Sequence, residues 1–184
     1  MSDDLPIPAP TAKPIPDEGM HNAVLMGVAD MGDVVDDFPG KPASVVHKVR
    51  FFFELEAKLD DGRPFMLSTK DITLSTHEKG NLFKLLKGWM GKDRPANLVG
   101  FPLRSLVGRA ATITVEHVAA KSDGHVYAVI AAVGPMMPMA TKLTVVNQTF
   151  PEWVEKSKAA NAAKVAKFWG DQSDAPDDDQ SVPF

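Results

Sequence analysis

The chain has 184 residues, 44% of them hydrophobic, with no cysteine and a formal net charge of −4. That length accommodates one ordinary domain plus tails, with enough apolar side chains for a core. The lack of cysteine excludes a disulfide framework and thiolate chemistry and fits a cytoplasmic setting, and no apolar run is long enough to span a membrane.

The charge is unevenly spread. Residues 1–40 hold 1 Lys or Arg against 8 Asp or Glu, and residues 126–184 hold 5 against 7. Residues 41–125 hold 14 against 9, so a basic centre lies between acidic ends. Residues 1–18 contain five prolines and no periodicity, unlike a signal peptide, and read as a disordered or extended arm.

Residues 20–31 alternate as a strand, with Gly27 marking a bulge or tight bend. A turn-rich loop follows, whose Asp33, Asp36 and Asp37 match no calcium-loop spacing. Residues 44–56, SVVHKVRFFFELE, form the longest β-prone run. At a period of two, Val45, His47, Val49, Phe51, Phe53 and Leu55 share a core face. Lys48, Arg50 and Phe52 share the other, a pairing of cations and ring that suits phosphates and flat bases. An Asp-Gly turn at residues 61–62 leads into a return strand over residues 65–74, which places Lys70 on the parity of Met66, Ser68 and Ile72.

Residues 75–91 read as a helix. Ser75 and Glu78 have capping-box spacing, Leu82, Leu85, Leu86 and Trp89 make an apolar stripe, Lys84 and Lys87 lie off it, and Gly91 is a stop. Residues 109–119 and 125–133 are two further strands around a turn, and residues 141–149 suggest another short one. Residues 151–169 form a terminal helix that could dock on the barrel, pair with another chain or touch DNA. Residues 170–184 carry five Asp and no cation, and end in Pro183-Phe184.

Chemistry has little support. Two histidines at helical i, i+4 spacing, a nucleophile elbow and a phosphate-binding glycine loop are all missing. The expectation is therefore a non-enzyme without metal or cofactor.

Three strands, a helix and two strands give the order of an OB-fold, a mainly β five-stranded barrel with a helix between its third and fourth strands. The predicted organisation is an arm over 1–18, the barrel over 19–150, a C-terminal helix over 151–169 and a disordered acidic tail over 170–184. The predicted DNA-binding residues are Lys48, Arg50, Phe52 and Lys70, on the second and third strands.

The patterns VVHKVRFFFELE, STHEKGNLFKLLKGWMGK and LVGRAATITVEHV together resemble phage-encoded OB-fold single-stranded-DNA-binding proteins over roughly residues 20–135. Asp177-Asp178-Asp179 followed by Val182-Pro183-Phe184 is similar to the acidic tip of bacterial single-stranded-DNA-binding proteins, although Gln180 and Ser181 intervene here. The resemblance implies sequence-nonspecific binding of single-stranded DNA in replication or recombination. It also implies a tip that recruits replication or repair proteins through Asp177, Asp178, Asp179, Pro183 and Phe184, with Phe184 as anchor. A protein-binding adaptor without DNA affinity and a nucleic-acid-processing enzyme missing a subunit are the other readings. Self-association is left open.

Overall fold

The computed structural model describes residues 13–122, 124–137 and 143–173. The expected tip residues Asp177, Asp178, Asp179, Pro183 and Phe184 lie outside the described residues, as do the first twelve residues of the proline-rich arm.

The strands are β1 (Gly19–Asp36), β2 (Ser44–Lys58), β3 (Pro64–Ser68), β4 (Ile72–Thr73), β5 (Ala110–Ala119) and β6 (Val126–Gly134). The helices are α1 (Asn81–Met90) and α2 (Trp153–Ser173), with short 3-10 turns at Gly91–Asp93 and Leu103–Leu106. All pairings are antiparallel, in the order β3-β2-β1-β5-β6, with β4 also on β2. The sheet curls until β3 approaches β6, giving a nearly closed five-strand barrel that is compatible with an OB-fold.

β1 can serve two neighbours because it bends. Register shifts against β2 fall between Leu25 and Gly27 and between Asp30 and Gly32. Extra residues at such points increase the local bend of a strand. Gly32 takes φ 72°, where a side chain is strained, and its N–H donates to Asp30 Oδ1 at 2.8 Å.

On β2, Val49, Phe51, Phe53 and Leu55 face the main core as their parity predicts, whereas Val45 and His47, expected on the same face, lie outside it and are half-buried. α1 adds Leu82, Leu86, Trp89 and Met90 to it. Trp89 meets Phe53 edge-on at 5.5 Å, and its Nε1–H donates to the Ala110 carbonyl at 2.9 Å.

Several elements differ from expectation; α2 runs past the expected stop at Gly170 to Ser173, so the first residues of the expected disordered tail are helical. α1 begins at Asn81, because Ser75 and His77 accept bonds from the His77 and Lys79 backbone N–H groups and hold residues 75–80 in turns. The single return strand over 65–74 is two strands, because Thr69 replaces the ladder with its own bonds: its N–H donates to the Phe51 carbonyl at 2.9 Å and its Oγ1 accepts the Phe51 N–H at 3.2 Å.

A second layer covers the outer face of β1 and β2. Residues 143–152 cross it as an extended strap that leads into α2, with no strand among residues 143–149. Glu54, buried on this face, accepts the Val146 N–H at 2.7 Å and the Asn147 N–H and Nδ2–H, each at 2.6 Å. Three such bonds compensate a carboxylate withdrawn from water. Beyond the strap, Val154 seals a small cluster with Met26, Ala29, Met31 and Phe52. Gly27 is needed there: a Cβ would stand 2.8 Å from the Phe150 ring, which lies over the strand.

Two substitutions probe the two layers. Trp89→Phe keeps a ring but leaves the Ala110 carbonyl unpaired, so denaturant unfolding is expected to show a loss of about 1–3 kcal/mol. Phe52→Ala is expected to cost about 3–5 kcal/mol, the range for emptying a buried aromatic site, and an unchanged unfolding midpoint would show that the second layer does not pack.

Candidate functional site

β3 and β6 stand side by side at the ends of the strand order, with no ladder joining them among the described residues. A cleft follows this seam. One hollow of about 350 Å³ includes Arg50, Ser68, Lys70, Val118 and Tyr127 in its lining. A second, of about 750 Å³, shares Thr69, Lys70, Val118, Val129 and Ile130 with the first and extends to Asn81, Lys84 and Glu116.

Local structure positions each of these groups. Because Thr69 ends β3, the connection at Lys70 and Asp71 leaves the ladder, and Lys70 is exposed. Asp71 accepts Arg50 Nε at 2.6 Å and holds that guanidinium at the cleft edge. Lys84 is exposed on α1, off the buried stripe, and Gly88 allows α1 close to β6, since a Cβ there would stand 3.2 Å from the Val133 carbonyl. Tyr127, the second residue of β6, has 42% of its surface exposed. The cleft thus presents three cations, the acids Asp71 and Glu116, an apolar floor and one phenol ring. Lys70 and Lys84 have no ion-pair partner among the described residues, which leaves both available to an anion.

The four expected DNA-binding residues separate into two groups. Arg50 and Lys70 meet at the cleft. Lys48 does not line it: its ammonium pairs with Asp36 at 2.9 Å and its side chain is largely covered. Phe52 requires a correction. It does point away from the barrel core, as its parity predicts, but its ring is 1% exposed beneath Phe150 and Trp153, at 5.1 and 5.7 Å. A ring so enclosed has no free face for a base. Alternation gives the direction of a side chain but not what a distant segment lays over it. The ring on the cleft is Tyr127, the single tyrosine of the chain, on a strand whose outer face carried no signal in the sequence.

Arg50 also touches the second layer, with its guanidinium 4.8 Å from the Trp153 ring centroid. Further along, His47 bridges Asp30 and Asp33, through Nε2 at 2.9 Å and Nδ1 at 2.7 Å. The Gly32 N–H holds the Asp30 carboxyl below the usual carboxylate range; partial burial opposes this, while His47 and Lys158 assist. On β5, His117 is occupied by the arm, its ring bonded to the Pro16 carbonyl and its N–H donating to Glu18 Oε1, both at 2.8 Å. Another hollow, of about 410 Å³ beside the strap, holds Glu54, Glu56 and Asp61, and its Arg63 is spent on Asp61.

No helix among the described residues is long and apolar enough to cross a membrane. No family model fits the sequence, and no curated protein matches it.

Proposed function

We propose that the protein is an OB-fold single-stranded-DNA-binding protein without a catalytic role, serving replication or recombination. The observation that supports this is the open seam, where Arg50, Lys70 and Lys84 surround an apolar floor that ends in the exposed Tyr127 ring. Cations along a groove take phosphates, and a ring beside them takes the face of any base. Asn81 is the one amide among the described lining residues, so few groups could read base edges. The binding is therefore nonspecific in sequence and favours single strands over duplex. The acidic segment with Asp177, Asp178, Asp179, Pro183 and Phe184 is proposed to recruit replication or repair proteins, on its similarity to the bacterial tip.

A second reading has its own support. Val118 and Val126 are exposed beside the unladdered edge of β6, a setting in which a partner protein could add a strand.

A shift assay with single and double strands at two salt concentrations separates the two readings, and incubation with magnesium exposes any cleavage. Tyr127→Ala is expected to weaken single-strand binding by about 1–3 kcal/mol, the usual range for one stacked base, with little change in melting temperature. Lys70→Ala is expected to reduce the dependence of log K on log salt by about 0.7, one phosphate's share on a single strand. Equal affinity for duplex, or no binding, would reject the proposal.

A further inference from the structure

We propose that α2 carries a second half of the nucleic-acid surface, a lysine track that continues the seam past Arg50 and Trp153. This rests on the reading of the seam as a single-strand site.

The join is Arg50. Its guanidinium lines the seam on one side and lies over the ring of Trp153, the first residue of α2, on the other. α2 docks through one face only. Val154 is buried, and Lys158, Asn161, Val165 and Phe168 follow it, half-buried, at helical spacing. Lys158 and Asn161 bond to Asp30 and to the Met31 carbonyl. That docking orientation fixes what the remaining surface presents.

At 3.6 residues per turn, Lys156, Lys164 and Lys167 fall within about 60° of Trp153 around the axis, off the docking face. All three are exposed. Lys156 makes only an exposed i,i+4 pair with Glu152 at 3.6 Å, a contact that contributes little and yields to a phosphate. Lys164 and Lys167 have no ion pair among the described residues. Glu155 lies off this flank, and Asp171 stands on it only at the far end. The flank is therefore cationic from the seam outward. A helix of this length extends about 30 Å, room for several phosphates beyond the cleft. Three cations in succession stand on this flank before its first acid within the helix, Asp171, and the first of them stands next to the end of the cleft.

The test is fluorescence anisotropy on the full chain, with oligothymidylates of about 5 and about 30 nucleotides. These lie near the bottom and beyond the top of the roughly 4–16-nucleotide sites of single OB modules. The variant is Lys156→Ala/Lys164→Ala/Lys167→Ala, in which alanine favours the helix. The salt dependence for the long strand is expected to fall by about 2, three phosphates at about 0.7 each, while the short strand binds as before. An unchanged slope on the long strand would overturn the track alone. An equal loss at both lengths would do the same, since it would mean a general field and not a path. Failure of the unmodified protein to bind either length would overturn the seam reading together with this one.

Discussion

The molecule's two layers are joined at the Glu54 carboxylate. A carboxylate with 2% exposure is tolerated only where its oxygens are filled, and here the strap fills them with two backbone N–H groups and the Asn147 amide. The strap in turn positions Phe150 over Gly27 and delivers Val154 to the outer face of β2. β2 is therefore covered on both sides: Phe51 and Phe53 enter the barrel, while Phe52 and Glu54 support the strap. Sheets with helices or segments on both faces read as continuous apolar runs, and the FFF of β2 is such a run.

This double coverage explains how much was legible in the sequence. The long strands, the inward Val49, Phe51, Phe53 and Leu55 of β2 and the stripe of α1 follow from local periodicity, and the structure has each of them. The fate of Phe52 depends on Phe150 and Trp153, roughly a hundred residues away, and no period within β2 carries that information. The helix start moved because Ser75 and His77 spend their side chains on local turns, a competition that capping-box spacing does not reveal. Lys70 was placed by parity but reaches the cleft for another reason, because Thr69 breaks the ladder beside it. Tyr127 went unnoticed because a lone ring on an edge strand has no pattern around it.

The basic centre of the sequence is also less basic in three dimensions than in one. Lys48, Arg50, Arg63 and Arg109 each have a carboxylate partner, contributed by Asp36, Asp71, Asp61 and Asp93. Of the cations in this region with no ion pair among the described residues, Lys70 and Lys84 are the two that line the seam. A count of charge along the chain therefore overstates the field, since four of its cations are already matched by carboxylates. Arg50 is a special case, since its partners Asp71 and Trp153 orient the planar guanidinium without burying it fully.

The strap and helix touch the barrel over one face, through one small apolar cluster and a few polar bonds, whereas the strands share a continuous core. Segments attached over a single face can form cooperative units distinct from the core they cover. The chain is thus a barrel clasped from outside by its own C-terminal segment, and Gly27, where an added methyl would meet the Phe150 ring, is where the clasp lies closest to the strand, so a single methyl there would pry the two layers apart.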